Sequence, residues 1–109
     1  MAVEIELLFT GQLGTTEADI WGPPEDKSAI VKNIRLVNTD ASDPATINLY
    51  VTKDGGTKRA ILPIDVTLPA KQLLIDDDEL TMKDGDQIRG LRTGAIVEIV
   101  ISGILREVV

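Results

Sequence analysis

The residues best equipped for chemistry are Asp76, Asp77, Asp78 and Glu79, four consecutive carboxylates in a 109-residue chain with no histidine and no cysteine. Grouped acid oxygens are what Ca²⁺ takes, roughly six to eight at a time. This run lacks the alternate acid positions, the central glycine and the closing glutamate of an EF-hand loop, and consecutive residues in a turn point in opposite directions. It is a weak metal candidate, and a solvated acidic loop is the expectation. Lys83-Asp84-Gly85-Asp86 reads as a tight turn. Without thiols or imidazoles there is no Cys nucleophile, no disulfide, no Cys/His zinc site and no Ser-His triad, and serines number only three. The aromatic residues are Phe9, Trp21 and Tyr50 alone, too few for the sugar platforms of a glycosidase cleft. Neither an enzyme nor a bound cofactor is expected. Trp21, just ahead of Gly22-Pro23-Pro24, stands out for binding because Trp anchors many interfaces; the alternative is that it folds back over an open end of the domain. Tyr50 reads as a surface residue.

Charge narrows the partners. Eleven basic residues face 18 acidic ones, for a net charge of −7, and the acids divide nine and nine between the two halves of the chain. Such a surface repels phosphate, so nucleic acid is not expected as a partner. The opening Met-Ala-Val-Glu-Ile-Glu-Leu carries charges where a signal peptide needs an apolar run, and no stretch nears the ~20 apolar residues of a membrane helix. The expectation is a protein made and used without its own export signal, and with no membrane partner.

The elements that must hold these residues are read from alternation. Ala95 to Leu105 is apolar and rich in Ile and Val, as in a strand covered on both sides. Val97, Ile99, Ile101 and Leu105 should face a core. Ile96, Glu98, Val100, Ser102 and Ile104 should face the other way, towards another strand, the N-terminal segment or a second subunit. Val3, Ile5, Leu7 and Phe9 alternate with polar residues in a first strand, and Thr15 to Trp21 forms a second strand or an extended arm. Ser28 to Asn38 is a long strand with Ile30, Ile34 and Leu36 on one face and Lys32 interrupting it. Thr46 to Lys53 points Ile47, Leu49 and Val51 inwards and Asn48, Tyr50 and Thr52 outwards. Asp54-Gly55-Gly56 is a hairpin signal. Arg59 to Leu68 returns with Leu62, Ile64, Val66 and Leu68 inwards, and Pro63 marks an edge or bulge. Lys71 to Asp76 is a short strand with Leu73 and Ile75 on one face, and Leu80 to Ile88 is a strand broken at Lys83-Asp84-Gly85. The result is an all-β antiparallel sandwich, Ig-like or jelly-roll-like, of about seven to nine strands. Residues 1–24 form an N-terminal strand or arm, and residues 25–109 the sandwich domain.

The run Ala29-Ile-Val-Lys-Asn-Ile-Arg-Leu-Val-Asn-Thr39, then Thr46-Ile-Asn-Leu-Tyr50, Leu68-Pro-Ala70, Lys83-Asp-Gly-Asp-Gln-Ile88 and Ile101-Ser-Gly103, resembles small β-sandwich structural proteins of tailed bacteriophages. The resemblance covers about Ala29 to Gly103. It implies a protein with no active site that decorates capsid shells or builds head-to-tail and tail components. It also implies a symmetric homo-oligomer, a trimer being favoured, bound to phage capsid or tail proteins. The expected place is the virion, after synthesis in the host bacterial cytoplasm. The expected function is capsid decoration, stabilising the head by binding between capsomers. The alternative is a receptor- or carbohydrate-binding β module of a tail fibre. Phe9, Trp21, Ile96, Val100 and Ile104 are the expected partner contacts.

Overall fold

The computed structural model describes residues 4–107, which form ten strands and no helix. In chain order they are β1 (Glu6–Gln12), β2 (Ala18–Trp21), β3 (Lys27–Asn38), β4 (Ala45–Thr52), β5 (Arg59–Ala60), β6 (Val66–Leu68), β7 (Leu73–Asp76), β8 (Leu80–Lys83), β9 (Gln87–Gly94) and β10 (Val97–Glu107). One sheet runs β1-β10-β3, with β7 and β8 sharing the far edge of β3; the other runs β2-β9-β4, with β5 and β6 sharing the far edge of β4. All pairings are antiparallel. The first strand therefore pairs with the tenth, the second with the ninth, the third with the seventh and eighth, and the fourth with the fifth and sixth. This nested order is a long hairpin rolled into two sheets, the jelly roll among the two sandwich types expected.

The inner faces interdigitate. Val31, Ile34, Leu36, Met82, Val97, Ile99 and Ile101 of the first sheet meet Ile47, Leu49, Leu68 and Ile88 of the second, and all are buried. Branched aliphatics do this work because the chain has so few aromatic rings. The N-terminal stretch supplies an outer strand to each sheet, β1 beside β10 and β2 beside β9. Val3, where the first alternating pattern begins, lies outside the described residues.

Several expectations need correction, and most share one cause. The register between β10 and β3 steps between Ser102 and Gly103, so that Lys32 is an extra residue on β3. A bulge of this kind reverses which side chains face inwards. Ala29 and Val31 are buried on the near side of it, not Ile30, while Ile34 and Leu36 keep their expected place. Past the same step Leu105 is only half-buried. A second step, between Leu7 and Phe9, turns Leu8 and Phe9 towards the core and leaves Ile5 and Leu7 exposed. Arg59 to Leu68 is not one strand: β5 and β6 flank a loop in which Asp65 has a positive φ of 57°, and Ile64 is exposed while Leu62 and Leu68 are buried. That split, with the expected break after Lys83, gives ten strands where seven to nine were expected. Thr52, expected outside, is buried. The hairpin signal is real: Asp54 and Gly55 have φ of 48° and 75°, and Gly56 N–H donates to the Lys53 carbonyl at 2.9 Å, as in a type I′ turn.

Candidate functional site

The acidic run comes apart on inspection. Asp76 accepts a hydrogen bond from its own loop, from Asp78 N–H at 3.2 Å, and Glu79 pairs with Lys32 across the bulge of β3. Carboxylates also gather where three turns meet, but there they hold backbone. Asp84 accepts from Asp26 N–H at 3.0 Å, and Asp86 from Asp54 N–H at 3.1 Å and Lys83 N–H at 2.9 Å. Among the described residues no group of three or more acidic side chains is placed to hold a metal ion.

The outer face of the second sheet carries a shallow recess of about 430 Å³. Glu17 accepts from Lys58 at 2.6 Å and lies 3.5 Å from Arg89, which donates to Asp19 at 2.5 Å. The Lys58 ammonium lies 4.4 Å from the centre of the Tyr50 ring. The hydrogen bond from Lys58 holds the Glu17 carboxyl below its ordinary pKa, and the same bond raises that of Lys58. Gln87 and the glycines Gly55, Gly56 and Gly85 complete the wall. The charged groups satisfy one another and fasten β2 and the β4–β5 loop to β9.

The outer face of the first sheet differs in kind. Buried Ile34, Leu36, Val97, Ile99 and Ile101 alternate with outward Arg35, Val37, Glu98, Val100 and Ser102. Pairing sets Glu98 beside Val37 and Val37 beside Leu73; in the next row Thr10 lies beside Val100, Val100 beside Arg35 and Arg35 beside Ile75. Leu73 is 49% exposed, Ile75 43%, and Leu7 at the β1 edge 65%. Ile104 lies beside Ile30 farther along, both half-buried. Val100 on β10, Val37 on β3 and Leu73 and Ile75 on β7 thus form an apolar strip over three strands, flanked on the same face by Thr10, Arg35 and Glu98.

Of the expected partner contacts, Val100 and Ile104 lie on this face, with Ile96, 48% exposed, at its end. Phe9 and Trp21 do not join them. Both are partly buried against the core: Phe9 is turned inwards beside Ile101, and Trp21 pairs with Ile88. Each lies on an edge strand and packs its ring against the core. Sequence reading missed Arg35, Val37, Leu73 and Ile75 as members of the face. Their alternation was visible, but which strands lie side by side was not. Comparison of the chain with protein-family models, with curated proteins and with solved structures finds no match.

Proposed function

We propose that this protein is a non-enzymatic building block of a phage virion, a capsid decoration protein that stabilises the head by oligomeric binding between capsomers. The observation that carries the reading is the apolar strip of half-buried Val100 and Val37 and exposed Leu73 and Ile75 on the outer face of the first sheet. A sandwich that has already closed its core between two sheets leaves such a strip exposed at a cost in solubility, which contact with another protein removes. The resemblance of Ala29 to Gly103 to phage sandwich proteins supplies the biological setting, and the jelly roll is an architecture that viral capsid proteins use among others. The test is to band virus particles from a lysate of the host on a density gradient and probe the fractions with antibody to this chain. The expected result is signal in the particle band; signal confined to the soluble fractions refutes the virion role.

A second reading, a receptor- or carbohydrate-binding tail module, draws on the recess beside Tyr50, whose Asp19, Gln87 and Arg89 are groups that bond sugar hydroxyls. Against it, Lys58 already occupies the ring face that a sugar would need. A glycan array with no hit removes this reading.

A further inference from the structure

Resting on the reading that this face is the working surface, we infer that its occupant is a second copy of the chain, bound face to face about a two-fold axis. The centre of the face is a square of four residues. Glu98 and Val100 lie on β10, with Val37 and Arg35 opposite them on β3. The charges occupy one diagonal and the valines the other. Neither Arg35 nor Glu98 takes part in an ion pair among the described residues, although both are exposed.

Two sheet faces related by a two-fold axis in the plane between them are mirror-arranged when seen in projection. An axis along the Val37–Val100 diagonal returns each valine to its own counterpart and exchanges the other two corners. Arg35 then faces Glu98 of the second copy, and Glu98 faces Arg35 of the second copy. Both contacts form at once, as an isologous interface requires. Stacked sheets lie about 10 Å apart, a gap that an arginine and a glutamate reaching towards each other can span. The same rotation carries Ile75 towards Ile96 of the second copy, and Leu73 towards the end of the opposing β3. Charge supports this occupant. The central square is neutral, one cation and one anion, on a molecule of net charge −7, so it is a face that adds two local ion pairs where other acidic surface would add only repulsion. An arginine facing a glutamate also rejects partners that lack the matching pattern. The result is a two-fold assembly where sequence reading favoured a trimer.

The experiment is a charge exchange. Arg35→Glu, Glu98→Arg and the double variant Arg35→Glu/Glu98→Arg are compared with the parent by sedimentation equilibrium, with thermal unfolding as a check that each folds. The parent should be a dimer. Each single variant places like charges at both contacts and should weaken the dimer by about tenfold or more; the double variant restores opposite charges with their positions exchanged and should recover to within about threefold of the parent. A parent that stays monomeric up to roughly millimolar concentration, a trimer, or a double variant no tighter than the singles overturns the inference. The virion reading is judged separately on the gradient. A monomer found in virus particles sinks the dimer alone, and a dimer absent from particles sinks the virion role alone.

Discussion

Asn38 is the fully buried polar residue on which the end of β3 depends. Its Nδ2 donates to the carbonyls of Asp43 at 2.9 Å and Leu68 at 3.1 Å, and its Oδ1 accepts from Asp40 N–H at 3.0 Å. One side chain thus ties the 39–44 loop and the end of β6 to the first sheet. Asn38→Ala removes the side-chain partner of three backbone groups, the Leu68 carbonyl in a buried site and the other two part-buried. A cost of about 2–4 kcal/mol is expected, since each stranded polar group costs about 1–3 kcal/mol and water reaches some of them. Denaturant unfolding measures it, and a loss under about 1 kcal/mol would show the loop relaxing without it. Two residues on, Asp40 accepts from Ser42 N–H at 2.9 Å and Asp43 N–H at 2.8 Å, which holds its carboxyl below the ordinary value of 3.8. Glu17 and Glu107, bonded by Lys58 and Lys27, are likewise held below 4.5. A carboxyl with a lowered folded-state pKa stabilises the fold fully above its unfolded value and loses that contribution as pH falls through the folded one. The melting temperature is therefore expected to be level near neutrality as far as these three groups are concerned, and to fall below about pH 4.5. Asp40→Asn should melt lower than the parent at pH 7, with the gap narrowing as the pH drops below 3.8. A gap that persists unchanged at low pH would mean the ionised form of Asp40 adds nothing.

At the scale of strands, legibility depended on whether alternation ran unbroken. Thr46 to Lys53 alternates cleanly, and Ile47 and Leu49 lie in the core as read. Thr52 is the exception: it is buried at the floor of the recess that Gly55 and Gly85 also line. In β1 and β3 the pattern is interrupted by one residue, and a bulge has no composition of its own. Lys32 breaking an Ile-Val run was the visible trace, and it reads equally well as a strand end. Pairing order was beyond reach for another reason: β1 pairs with β10 across nearly the whole chain, and no local signal records so distant a neighbour. Gly103 lies at the step opposite Lys32, and a Cβ there would run into the Ile30 carbonyl. The bulge and the glycine are a matched pair, one strand kinked and the other without a side chain at the crossing. Gly103→Ala is expected to cost about 1–3 kcal/mol as an overpacked site. Ser102→Ala, one residue away on the open face, should change stability by under about 0.5 kcal/mol. Equal losses at the two positions would show that the close approach is not what selects glycine.

For the molecule as a whole, net charge sets how the proposed assembly responds to salt. Stacking two copies of charge −7 through their thinnest dimension of 19 Å puts the charge centres about 20 Å apart. As point charges in water these repel by about 5 kcal/mol at 0.01 M salt and under about 1 kcal/mol at 0.15 M. The two Arg35–Glu98 contacts supply at most about 1 kcal/mol each at an exposed site, and salt weakens them too. Relief of the overall repulsion is the larger change, and apolar burial by Val37, Leu73, Ile75 and Val100 is nearly indifferent to sodium chloride over this range. The dimer is therefore expected to tighten by about tenfold or more between 0.01 and 0.15 M sodium chloride, then to level off because the Debye length, about 8 Å at ~0.15 M, is by then well below the separation. Sedimentation equilibrium across that series measures it. If the dissociation constant rises instead, attraction between specific charges outweighs whole-molecule repulsion, and the contact must lie where more than two ion pairs form. A charge-mediated edge contact would behave that way, and the outer face of the first sheet would not.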